Sequence, residues 1–137
     1  MKPAEQRLQR YLERQLELLA SYGELQGKIE ESVRAGQADL LAVQAELARR
    51  LAAECTELER AVRPLAAQAG AGRPRELEAR LAAGREAALE SSRRARASLA
   101  SALQELATRI RELAARPRTP PSPFARIGRP VLVDISS

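Results

Sequence analysis

Residues 31–51 read ESVRAGQADLLAVQAELARRL, and this stretch decides how the chain folds. Ala35-Gly36 closes one helix, because Gly36 can enter the left-handed cap conformation without a Cβ clash. A second helix opens near Gln37, with Asp39 in its first turn, where the helix dipole favours negative charge. A stop and a restart this close together require two antiparallel neighbours.

Reading backward from the stop, apolar positions recur at helical spacing from about Ala4 to Ala35. Leu8, Tyr11, Gln15, Leu18, Tyr22, Leu25, Ile29 and Val33 follow one another in steps of three and four, broadened by Leu12 and Leu19. Such steps form a heptad seam, the signature of helix-to-helix contact. Pro3 fits the first turn, where its missing N–H has no partner to lose. Gly23 and Gly27 each weaken the helix by up to about 1 kcal/mol relative to Ala. They either admit a close neighbour or mark a soft spot, and the unbroken seam favours close approach.

Reading forward, the second helix is expected over about 38–68. Its expected seam is Leu40, Val43, Leu47, Leu51, Cys55, Leu58, Val62 and Leu65. Pro64 lacks the amide that a helix interior needs, so it should kink or end this helix and loosen the pairing there. Ala-Gly-Ala-Gly at 69–72, within the stretch from Gln68 to Arg73, reads as a turn. Pro74 then suits the first position of a third helix running to Arg116, roughly 60 Å at about 1.5 Å per residue. The seam of this helix changes character along its length. Leu77, Leu81, Gly84, Ala88, Ser92 and Ala95 form a narrow ledge suited to close packing. Leu99, Leu103, Leu106, Ile110 and Leu113 form a thick apolar surface.

The expected fold is therefore all-α: an antiparallel hairpin with a long third helix, as a three-helix bundle or coiled coil, over 1–116. An extended tail, 117–137, holds five of the eight prolines. Pro120, Pro121 and Pro123 favour extended backbone. The run Val131–Ile135 has the β-branched composition of a strand that adds to a partner's sheet edge. Simple disorder is the alternative, against which Phe124 and that run count.

Composition narrows the function class. The chain has no His, no Asn and a single Cys, and only 2% of it is aromatic. Without His, neither a Ser-His nucleophile nor an imidazole metal site can be built, and a lone Cys without a base is a weak nucleophile. Cys55 reads as a small core residue on the second seam. Carboxylate pairs such as Glu30-Glu31 and Glu57 with Glu59 lie on polar faces, where solvated charges are the ordinary outcome. The expectation is a protein that is not an enzyme and takes no cofactor. No long apolar run and no signal-peptide core of about 7–15 apolar residues is present, so a cytoplasmic protein is expected.

The net charge is +5, with 21 Arg against 2 Lys, and the excess sits in residues 70–137. Arg93-Arg94-Ala95-Arg96 is the densest basic cluster. Nucleic acid would supply phosphates for it. No aromatic side chain accompanies it, however, and Glu86 and Glu90 lie close by, so a solvated face with local ion pairs is the better reading. Arg also suits an acidic or mixed protein surface. Apolar stripes without reactive groups leave helix binding or self-association as the competing roles.

The order of parts resembles that of the FlgN-like flagellar export chaperones. A first helix ends in ESVRAGQADLLAVQAELARRL, an antiparallel second helix follows, then a long third helix and a tail with an aromatic, Gly and Arg. The resemblance implies that the end of the last helix holds the C-terminal helix of a hook-filament junction protein. That role falls on Leu99, Leu103, Leu106, Ile110 and Leu113. It also implies docking at the export gate through the aromatic and the glycine of the tail, here Phe124 and Gly128.

Overall fold

The computed structural model describes residues 2–117. The expected tail beyond them, with Phe124, Gly128 and Val131–Ile135, lies outside the described residues. Among the described residues three helices make up the fold, α1 over Pro3–Ala35, α2 over Ala38–Ala69 and α3 over Arg75–Ala115, with a 3-10 turn at Gly70–Gly72. Among the described residues there is no strand. The chain divides into two units, Met1–Gln104 and Glu105–Ser137.

The quoted turn is a double-bonded glycine cap. Gly36 sits at φ 68°, ψ 27°. Its N–H reaches the Val33 carbonyl at 3.2 Å, and the Gln37 N–H reaches the Ser32 carbonyl at 3.0 Å. Two orphan carbonyls at the end of α1 are thereby satisfied, and the chain reverses within a few residues. At the other end of α1, the Lys2 N–H donates to the Glu5 carboxylate at 3.4 Å.

Within the first unit, α1 is the helix both others cover. It contributes Leu8, Leu12, Gln15, Leu18, Leu25, Gln26, Ile29 and Ser32 to the interior, whereas α2 contributes only Ala48 and Leu65 at the same depth. Two apolar clusters result. Leu8, Leu12, Leu65 and Leu81 fill the first with large side chains from all three helices. In the second, Leu25 and Ile29 meet the short Ala48 and Ala95, with Tyr22, Val33, Leu41 and Leu51 packed against them from partly exposed positions. The helix backbones approach each other along α1 and α2, while α3 reaches α1 mainly through side chains. Tyr22 Oη lies 3.5 Å from Ser92 Oγ, and a Cβ at Gly84 would meet Leu16 Cδ2 at 3.5 Å and Leu19 Cδ1 at 3.8 Å.

Several expectations are corrected here. The seam of α2 does not pass through Leu40, Val43 and Leu47, which are exposed at 45%, 67% and 47%. Leu41, Gln44, Ala48 and Leu51 face inward instead and join the series at Cys55. The observed seam steps by three and four in strict alternation, so it follows the line of α1 without drifting around the helix. Ser32 Oγ fixes this rotation through a 2.7 Å hydrogen bond with Gln44 Oε1.

Pro64 does not end α2, which continues to Ala69, and the pairing does not loosen at this point. Leu65 is only 8% exposed and packs against Leu8 and Leu12. A mid-helix proline costs about 3 kcal/mol, and burying one leucine returns about 1.5–3 kcal/mol, so the core offsets much of the penalty. The α3 helix starts at Arg75, with Pro74 just outside it, and Glu78 N–H bonds the Pro74 carbonyl at 2.9 Å. The Arg73 guanidinium pairs with the Glu78 carboxylate across that start.

The glycines of α1 are not sites of close approach. A Cβ at Gly27 would meet nothing within 4 Å, and one at Gly23 would meet only Ser91 Oγ, at 3.9 Å. Gly27→Ala should therefore stabilise the protein by about 0.5–1 kcal/mol, read as a higher urea midpoint with an unchanged slope. Gln15 is buried at 3% exposure with its Oε1 unpaired. Gln15→Leu should raise stability by about 1 kcal/mol or more, because a stranded acceptor is exchanged for an apolar group. An unchanged midpoint would show that the Oε1 is satisfied in solution.

Candidate helix-binding site

In the first unit, α3 carries exposed leucines. Leu99 is 37% exposed and Leu103 57% exposed. Leu81, Ala88, Ser92 and Ala95 of the same helix are buried, so burial ends just before Leu99. Tyr22 of α1 pairs with Ser92 at an offset of 70 residues. At that offset α1, which runs to Ala35, still lies alongside Leu99 and Leu103, so the end of α1 is not what exposes them; Leu99 stands on the wall of an open groove.

The second unit, described from Glu105 to Pro117, contains the last turns of α3, and each of those residues is exposed. Leu106, Ile110 and Leu113 stand at 54%, 58% and 62% exposure. Steps of four and three place the three side chains within about 60° of arc on the helix. A face of this kind has no reactive group, and what it offers chemically is apolar area at heptad spacing. The fold thus brings out as exposed all five residues singled out on α3. Phe124 and Gly128 lie outside the described residues.

A groove within the first unit was not legible in the seams. It runs between α2 and α3, with α1 as its floor, and encloses about 520 Å³. Gln26 and Ile29 lie in the floor. Ala42, Ala45 and Ala52 form the α2 wall, and Ala95, Arg96 and Leu99 stand opposite. A smaller recess of about 260 Å³ shares Tyr22, Ala52, Ser92 and Arg96 and is bounded by Cys55 and Arg85. The cause is the second apolar cluster, where Ala48 and Ala95 are too short to bring α2 and α3 together. The sequence signal is the recurrence of Ala at 38, 42, 45 and 52 on one side of the second helix.

Several charged groups around these recesses are locally paired. Arg93 lies 3.7 Å from Glu90, Arg49 2.8 Å from Glu46, and Arg85 3.4 Å from Glu59. Arg94 donates to Ser91 Oγ at 3.4 Å. Arg96, from the densest basic cluster, makes no ion pair among the described residues. The Glu46 carboxylate is held below its ordinary range, chiefly by the hydrogen bond from Arg49.

Cys55 is half-buried rather than buried, on the wall of the smaller recess. Burial, reinforced by Glu54, pushes its thiol above the ordinary range, so the nucleophilic thiolate is disfavoured. Among the described residues no group of acidic or Cys side chains is placed to hold a metal ion, and no helix is long and apolar enough to cross a membrane. Comparisons with family models, with curated proteins and with solved structures find no match to this chain.

Proposed function

We propose that this chain is a cytoplasmic helix-binding chaperone of flagellar-type export, which holds an amphipathic C-terminal helix of a hook-filament junction protein and keeps it soluble. Its role is binding, not catalysis, and needs no cofactor. The observation that carries the reading is the exposed heptad face Leu106, Ile110 and Leu113, with Leu99 and Leu103 exposed on the same helix. An apolar helix face left open in water is unusual for a monomer, and a partner helix is its natural cover.

Magnitudes support this role. Burying about 400 Å² of apolar surface at about 25 cal/mol per Å² contributes on the order of 10 kcal/mol gross. Loss of translational freedom and side-chain ordering consume part of that, which leaves a micromolar to nanomolar affinity. The same contact would shield the client's apolar helix. Docking at an export gate through Phe124 and Gly128 belongs to this proposal as well.

Self-association is the second reading, favoured by a separate exposed stripe, Leu40, Val43 and Leu47, on α2. Co-expression with a hook-filament junction protein, followed by light scattering, separates the two. The chaperone reading expects a 1:1 complex that Leu106→Asp or Ile110→Asp weakens by about a hundredfold, with helicity unchanged by circular dichroism. A stable homo-oligomer that takes up no client, and that the same substitutions dissociate, would establish the coil instead.

A further inference from the structure

The groove between α2 and α3 has the features of a second docking site, distinct from the α3 stripe. We propose that it seats a helix of a partner protein, one whose contact face is small and apolar and whose flanks are acidic. The inference rests on the helix-binding reading, but it uses different residues and can fail separately.

Three observations fix the occupant. The first is width of approach. The α2 wall is built of alanines, and Ala42, Ala45 and Ala52 are exposed although they border a concave surface. Side chains this short let a helix lie close to the α2 backbone, whereas leucines would hold it off. From Ala38 to Ala52 the wall extends about 21 Å, close to four helical turns.

The second observation is a polar anchor. Gln26 lies in the groove floor at 7% exposure, and its side-chain amide makes no hydrogen bond within the described chain. The amide atoms are not among the buried unpartnered ones, so they face the open groove, and a helix that closes it must bring a hydrogen-bonding side chain to replace the water there. An apolar groove with one convergent polar group is the usual make-up of a recognition site.

The third observation is charge. Arg49 and Arg96 border the groove, Arg85 and Arg96 border the adjoining recess, and no carboxylate lines either. Arg49 and Arg85 are already engaged with Glu46 and Glu59, whereas Arg96 is not. A carboxylate on the flank of the bound helix would complete Arg96, and a basic flank would be repelled.

The test uses the full chain and two fluorescently labelled helical peptides of about 15 residues. Both carry Ala and Leu along one face and a single Gln; one is flanked by Glu and the other by Lys. Anisotropy should show the Glu-flanked peptide binding about tenfold or more tightly. Arg96→Glu should reverse that order. Ala45→Trp, on an exposed wall position, should abolish binding while circular dichroism stays unchanged. The Gln26 side-chain amide resonances should shift on titration in the parent protein. Leu106→Asp with Ile110→Asp should leave peptide affinity within about twofold. Equal binding of both peptides, or binding that survives Ala45→Trp, would overturn the proposal. Loss of binding only in the Leu106 and Ile110 variant would place the peptide on the α3 stripe and overturn it too. A homodimer dissociated by Ala45→Trp would identify a second copy as the occupant and also rule it out.

Discussion

The first unit depends on one helix having two partners. The α1 helix presents an apolar face wide enough to receive α2 on one side and α3 on the other, and most of the buried side chains are its own. With only 2% aromatic residues, the chain has no large anchors to build a wide interior. Its cohesion comes from leucine layers stacked along a line, and each layer is only as closed as its smallest member. Where Leu65 and Leu81 oppose Leu8 and Leu12, the layer is full. Where Ala48 and Ala95 stand in the corresponding places, α1 remains covered but α2 and α3 are held apart. The groove follows directly from that substitution of methyls for isobutyl groups.

Much of this architecture was legible in the sequence. The Ala35-Gly36 stop, the restart before Asp39 and the seam of α1 are local signals, carried by cap chemistry and by spacing along one helix. Gly36 has the left-handed backbone its position demanded. The α2 seam was harder because its first half is apolar over more than half its circumference. Leu40, Val43 and Leu47 compete there with Leu41, Ala48 and Leu51, and composition favours the larger residues. The deciding signal was regularity: the chosen series alternates three and four, while the rejected one repeats four and slides around the helix. The Ser32 to Gln44 hydrogen bond is a tertiary fact that no single-helix pattern contains.

Pro64 shows how a residue propensity can mislead in a bundle: judged against an isolated helix it ends α2, yet α2 runs through it and Leu65 is buried in the core. At Gly23 and Gly27 the unbroken seam misled instead, because no neighbour comes close to Gly27 and only Ser91 Oγ comes within 4 Å of Gly23. The exposed stripe of α3 was readable as apolar area from the sequence. Its exposure was not, because exposure is set by tertiary packing and not by spacing along one helix. The groove was less legible still, since it is an absence of bulk contributed jointly by three segments far apart in the chain.

The proline has a consequence for how the molecule comes apart. Pro64 removes one backbone donor from the interior of α2, so the turn from Leu65 to Ala69 gains less from the helix before it and is held from the side, by Leu8 and Leu12. That turn has no separate melting of its own. The end of α2, the Gly70–Gly72 turn after it and the base of α1 should open together, as one cooperative block in amide exchange, while the alanine-lined end breathes independently.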